Sequence, residues 1–586
     1  MFLRPHRRQL KNGTCEEYWS LVESYRTARG PRQRVVSYLG DLAAEACAGV
    51  AAVAAGQRAY QPGLFDDSRP HRVEIDLRSL RVERTVAFGG VWLGQWLLER
   101  LGLTTFFTEH LPPGRAEIPW AVMAQVLLLG RFLDPSSELR LAEHGYGRTA
   151  LADVLGVPLA KINDDRLYRA LDALLPHKAA LTQHLRATGG DLFGLTYDLV
   201  LYDVTSTYFE GTAGGNTAAK RGYSRDHRPD CVQVCIALVV DHSGFPLGYE
   251  VFPGNRHDAT TVKTIVRLME KTYGRAERIW VMDRGMVSEA NLAFLRQEGR
   301  RYIIGTPKAM LHAFEQDLLT QDWTQVREGV AVKTCADPAG GTDRFVLVRS
   351  QARQDKERAM HARFAARIED GLTKLAASCA KQAWPVGTIE RRVGKLLGAN
   401  TRAAGLFAVT VSAAAAGRAQ VTWTHQPAWR DWATLSEGCY LLRSNIDDLP
   451  PADLWTAYIG LTQAEAAFRI QKSDLQLRPI WHQRLDRVKA HLLVCFLAFV
   501  LWKTLGQLCA RAGLGDEPRR VLDELAQIVL VDVAVDTTAG VTIRKRCVAQ
   551  PTPLQATLLQ QLHLTLPAHL GLTADTAGAR MLSRDD

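Results

Sequence analysis

Between residues 199 and 307 the hydrophobic pattern leaves the helical period and repeats as strands, in one particular order. "LVLYDVTSTYF" (199–209) is a β-branched and aromatic run. "CVQVCIALVVD" (231–241) is a second, and "HSG" turns it into a third, "FPLGYEVF" (245–252), which predicts a hairpin. "DATTVKTIVRLMEKTYG" reads as a helix with Asp258 as its N-cap. "RIWVMD" (278–283) is a fourth strand, "SEANLAFLRQEG" a helix opening on a Ser cap, and "RYIIGTP" (301–307) a fifth strand. A three-stranded meander followed by right-handed crossovers leaves few folds open: α/β, with a mixed sheet flanked by helices.

Two of these strands carry an acid. Asp203 interrupts the first and Asp283 ends the fourth. A carboxylate in such a setting is costly unless it is paired or binds a cation. If the two strands are neighbours, both acids meet at one edge and repel, which suggests a bound cation or a raised pKa. Oxygen ligands favour Mg²⁺ or Mn²⁺. Holding two ions needs a third ligand, and the candidate is Glu465 in "YIGLTQAEAAFRIQKSDL". There Glu465, Phe468, Arg469 and Lys472 fall at i, i+3, i+4 and i+7, one helix face. Spacing alone equally permits an ordinary Glu465–Arg469 ion pair.

The chain, 586 residues long, is too long for one ordinary core. Residues 1–60 read as a basic strand module, with "EEYWSLVESYR" and "QRVVSYLG" around a Gly-Pro turn, followed by an Ala-rich linker helix, "LAAEACAGVAAVAAG". Residues 61–190 read as a helical region, which a compact DNA-binding unit fits and a plain helical subdomain fits almost as well, 191–307 as the first part of the sheet core and 308–445 as a β-rich insertion. Residues 446–505 return to the core, and 506–586 form a mixed C-terminal region. The net charge of +10 permits a polyanion partner, and residues 1–40 hold eight Lys/Arg against three Glu. The cysteines have no C-x-x-C spacing, which predicts a reducing compartment and no structural zinc. The start lacks a signal-peptide pattern, and the apolar run Leu492–Trp502 is short for a membrane span, so the chain reads as cytoplasmic with no membrane partner.

Several ordered motifs carry a family resemblance. Tyr458, Glu465 and Lys472 keep the spacing of a Tyr-x2-Arg-x3-Glu-x6-Lys signature, with Leu461 at the Arg position. "GYSRDHRPD" (222–230), "PGNRHD" (253–258), "VMDRGM" (281–286) and the strand around Asp203 match as well. The chain resembles the DDE transposases of bacterial insertion sequences, over roughly 195–505. The resemblance implies a ribonuclease-H-like fold with an insertion between the second Asp and the Glu. It implies Asp203, Asp283 and Glu465 as catalytic metal ligands for two Mg²⁺ or Mn²⁺ ions, and phosphoryl transfer on double-stranded DNA. A homodimer on DNA is implied too, since two element ends must be joined, in a bacterial cytoplasm and at the nucleoid when bound. Alternatives are a metal-dependent nuclease that does not join, and a non-catalytic domesticated relative.

Tyr458, Lys472 and Arg469 would hold DNA near the cut. Lys220, Arg221, Arg225 and Arg228, with Tyr223, make a candidate phosphate-binding loop. Arg478, Arg484, Arg487 and Lys489 form a second basic stretch, in which His482 and His491 read as packing residues. Arg4, Arg7, Arg8 and Lys11 are a third basic group. Trp323, Trp384, Trp423, Trp429 and Trp432 read as core residues of the insertion, and Asp198, Glu210 and Asp241 as turn or surface acids.

Overall fold

The computed structural model describes residues 2–9, 15–27, 30–40, 74–111, 113, 117–194, 198–275, 277–414, 418–538 and 540–570. The expected Ala-rich linker helix, Lys11 and the end of the C-terminal region lie outside them. The chain forms two units, Met1–Arg81 with Ala534–Arg544, and Val82–Val533 with Lys545–Asp586.

In the first unit, β1 (Phe2–Gln9), β2 (Cys15–Thr27) and β3 (Gly30–Gly40) form an antiparallel sheet in that order. The Gly-Pro turn was legible: Gly30 has φ +101°, open to glycine at no steric cost. The basic segment at the start is more than a charged terminus, because Phe2–Gln9 pairs along its whole length with β2. A further strand, β4 (Ile75–Ala87), stands where the sequence suggested only helices. Helices then dominate to residue 193, among them Gly89–Arg100, Trp120–Leu133, Asp164–Leu174 and Lys178–Phe193.

The strand order of 199–307 folds as its pattern predicted. The strands are β5 (Leu199–Tyr208), β6 (Gln233–Asp241), β7 (Pro246–Pro253), β8 (Ile279–Met282) and β9 (Arg301–Gly305). They lie in the order β7-β6-β5-β8-β9. β5, β6 and β7 pair antiparallel, while β8 and β9 run parallel to β5. A meander whose first strand also starts the parallel half is the ribonuclease-H-like topology. β6 is buried at every position, as a central strand covered on both faces must be.

The segment 308–445 departs from the expected β-rich insertion. Its strands β10 (Thr324–Arg327), β11 (Val330–Ala336) and β12 (Arg344–Ser350) join β15 (Cys439–Ser444), which pairs with β9, and so lengthen the core sheet to nine strands. Only the hairpin β13 (Phe407–Ala413) and β14 (Ala419–His425) forms a separate sheet. It packs with helices Gln351–Lys381 and Val386–Ala399 around a small core of their own that includes Ile368, Leu372 and Ile389. The longest elements of this segment are therefore helices.

The apolar run near the end of the catalytic region belongs to a helix of 27 residues, Leu485–Arg511. It is long and apolar enough to cross a membrane, yet 78% of its most apolar window is buried inside the protein. A helix that is apolar on all sides and buried is a core helix.

Candidate active site

The pairing of β5 with β8 ends on Tyr202↔Met282. Asp203 and Asp283 are the next residues on two adjacent parallel strands, whose backbones lie about 5 Å apart. Thr205, two residues past Asp203, faces the same side of β5. Lys472 Nζ donates to Thr205 Oγ1 at 2.8 Å, which ties the helix Leu461–Ser473 to that face. Glu465 lies two turns before Lys472 on the same side of this helix. All three acids line one cleft of about 410 Å³, together with Asp258, Arg225, Tyr458 and Leu461. Glu465 has no ion pair with Arg469 among the described residues, so the alternative raised by spacing alone does not hold.

The cleft's electrostatics follow from its walls. The Asp203 carboxyl is pushed up to about 7, chiefly by burial and then by the charges of Asp283 and Glu465, while the Val204 N–H and Arg225 oppose the shift. The Val204 amide donates to Asp203 Oδ1 at 2.7 Å. Asp203 thus senses two acids that are distant in sequence, the situation in which a cation is favoured between them. Burial, and then Asp283, also raise the Tyr458 hydroxyl above its usual value. Gly305, at the end of β9, makes room for that ring: a Cβ there would sit 2.2 Å from Tyr458 Oη.

Several basic side chains expected to hold DNA are already engaged. Asp226, whose side chain is 3% exposed, accepts from Lys472 at 2.8 Å and from Arg478. Burial draws the Lys472 ammonium below its usual pKa against the pull of Asp226. Arg225 is paired with Asp258, Arg228 with Asp230 and Glu210, and Arg487 with Asp172. Lys220, Arg221 and Arg469 are exposed and have no ion pair among the described residues. The five tryptophans of the insertion pack in its two small cores, as expected, and none lines the cleft. Asp241 shapes its turn, accepting from the Ser243 and Phe245 amides, but it is fully buried where a surface acid was also expected.

Asp258 and Asp226 were missed as site residues. Asp258 does not cap the helix Val262–Tyr273, whose N-cap is Thr261; it sits one turn earlier and holds Arg225 in the cleft. The signal was present in "PGNRHD" and "GYSRDHRPD", where acids alternate with arginines. Tyr223, 83% exposed, and Trp481, 60% exposed, are the large aromatic side chains left open on the two basic segments.

A family model described as "Transposase DDE domain" matches residues 194–501, more than half of the chain. The chain belongs to the DDE transposase family. A second model, "IS1634 family transposase, N-terminal domain", matches residues 3–63, so the transposase is of the IS1634 insertion-sequence type. No curated protein matches it. Among solved structures it is similar to a piggyBac transposase, determined as a synaptic complex with hairpin DNA; identity is 8%, TM-score 0.35, and coverage 78% of this chain and 82% of that one. As a DDE transposase this protein cuts DNA and transfers strands, a class of chemistry that uses divalent metal.

The cleft fits such a metal. Its donors are carboxylate oxygens, two on adjacent strand ends and one on a helix, and Asp203, raised first by burial and further by Asp283 and Glu465, is a carboxylate that a bound cation would favour in its charged form.

Proposed function

We propose that Asp203, Asp283 and Glu465 are the catalytic acids of this transposase and the ligands of two Mg²⁺ or Mn²⁺ ions. The observation that carries this is the shared cleft of three carboxylates drawn from β5, the end of β8 and the helix Leu461–Ser473. When bound, the metal supplies activation of the attacking oxygen and charge stabilisation at the leaving oxygen. The chain's own residues do the rest. Arg225, oriented by Asp258, offers the guanidinium among the lining residues and would meet a phosphate bound at the acids. Tyr458 walls the far side of the cleft. Lys472, held through Thr205 and Asp226, keeps the Glu465 helix in register with β5 and adds positive potential behind the acids. Lys220, Arg221, Arg469 and Arg478, with Arg228 beyond them, track the DNA backbone on either side, and Tyr223 and Trp481 offer faces for stacking.

The substrate is double-stranded DNA at the terminal inverted repeats of the protein's own element, and the freed 3′-hydroxyl ends attack target DNA. Two ends must be joined in one event, which favours a homodimer on DNA, acting in the bacterial cytoplasm. The test is an assay with oligonucleotide duplexes of the element end and a plasmid target in Mn²⁺. Cleavage and a joined product are expected from the wild type, and neither from Asp203→Ala, Asp283→Ala or Glu465→Ala, with duplex binding retained. Hydrolysis without any joined product would favour a simple nuclease instead.

A further inference from the structure

We propose that Glu138, His482 and His491 bind one further metal ion, Zn²⁺ by its chemistry, apart from the carboxylate cleft. The three side chains come from the turn Glu138–Arg140, the loop before the core helix and the core helix itself, and are 6%, 8% and 6% exposed. Their ligand atoms all lie within 4.8 Å of one another. Glu138 Oε2 is 3.3 Å from His482 Nε2, and Glu138 Oε1 is 3.6 Å from His491 Nδ1. Both separations exceed the usual N–H···O range of about 2.7–3.2 Å. They are close to the separation of about 3.4 Å between ligands that stand about 2.0–2.1 Å from Zn²⁺, each nitrogen being measured to its own Glu138 oxygen, so a turn of the carboxylate brings one oxygen towards both.

The tautomer of His491 carries the argument further. Its Nε2 lies 3.2 Å from the Leu477 carbonyl oxygen. A carbonyl only accepts, so Nε2 carries a proton, and in the neutral ring the Nδ1 lone pair faces a carboxylate. In that neutral form two buried lone-pair-bearing atoms face each other, with no hydrogen-bond partner in range of Nδ1, and a second proton there, which Cys495 and Glu138 favour, is what a metal ion would displace. A cation between them removes the conflict. One ring nitrogen on metal with the other donating to a carbonyl is the usual arrangement of metal-binding histidine. Two more buried polar atoms without partners, Ser136 Oγ and Arg131 Nε, belong to residues lining the adjoining cavity of about 40 Å³. That space admits a water or the Ser136 hydroxyl as a fourth ligand. Arg131 Nη2 stands 3.7 Å from Glu138 Oε1 and opposes any cation there. An ion that bonds imidazole weakly, such as Mg²⁺, is thereby disfavoured; Zn²⁺ offsets the repulsion through two nitrogen bonds. The ion would pin the helical region before the sheet to the core helix and to the segment that carries Arg478. Zinc is thus assigned here without cysteine spacing, through ligands that periodicity read as packing residues.

The test uses the full untagged chain in an Asp203→Ala/Asp283→Ala background, so that the carboxylate cleft does not count. After loading with Zn²⁺ and desalting, about one Zn²⁺ per chain is expected, falling close to zero in Glu138→Gln and His491→Gln. Co²⁺ in place of Zn²⁺ should give the intense visible absorption of a four-coordinate site. This spectrum is read on the unaltered cluster, so it decides even where the substitutions fail to fold. No retained Zn²⁺, or only the weak spectrum of six-coordinate Co²⁺, would overturn the proposal and leave a water-filled polar cluster.

Discussion

Replacing Asp203 by Asn should stabilise the metal-free protein at alkaline pH, although it removes a proposed catalytic group. The Asp203 carboxyl moves from 3.8 to about 7 in the folded state, chiefly by burial. A raised carboxyl pKa means that the native state holds the proton more tightly than the unfolded chain does. Its contribution to stability is full below about pH 4 and is lost as pH rises through about 7. At pH 8 the charged native state carries that penalty. Three pKa units at 1.36 kcal/mol each give a ceiling of about 4 kcal/mol, and solvent reaching the cleft lowers it to about 2–3 kcal/mol. Asn keeps the shape without the charge. For a cooperative unit of roughly 500 residues, the gain corresponds to about 2–3 °C in Tm. Thermal melts should therefore place Asp203→Asn above wild type at pH 8 without metal, with the difference fading across pH 7 to 4. Mn²⁺ should reverse the order by stabilising wild type alone. An Asn variant that melts lower at pH 8 without metal, or equal stabilisation of both proteins by Mn²⁺, would refute the reasoning.

Lys472→Ala should cost about 2 kcal/mol, because it leaves the buried Asp226 with Arg478 alone, and adding Asp226→Asn should recover most of that loss in denaturant melts; additive costs would contradict the pairing. Gly305→Ala should destabilise by about 1–3 kcal/mol and lower cleavage, since its Cβ meets Tyr458 Oη, and Tyr458→Phe in that background should restore part of the stability. Arg225→Ala should slow single-turnover cleavage about 100-fold, with Arg225→Lys recovering little, because a lysine lacks the fork that Asp258 orients.

The order of the sheet was legible because its strands are local: each apolar run between 199 and 307 announces itself by period and by its turn residues. Asp203 and Asp283 stood out because an acid in such a run is expensive. What escaped was pairing between segments distant in sequence. Nothing in the periodicity of "RFVLVRS" says that it extends the sheet of β9 through β15, since edge partners are set by tertiary packing. β1 was not among the strands expected within the basic N-terminal module, because its arginines mask the alternation. Asp258 was taken for a helix cap because an acid before a helix usually is one; only the approach of Arg225 from another loop gives it a second task. Lys472 and Arg478 were read as free cations, because the buried acid between them comes from a loop some 250 residues away.

The central claim is that three carboxylates form one cage for catalytic metal, and anomalous diffraction from crystals soaked in Mn²⁺ tests it most directly. Mn²⁺ density is expected in the cleft, contacted by Asp203, Asp283 and Glu465 together. Strong Mn²⁺ density elsewhere, with these three side chains contacting none, would contradict it.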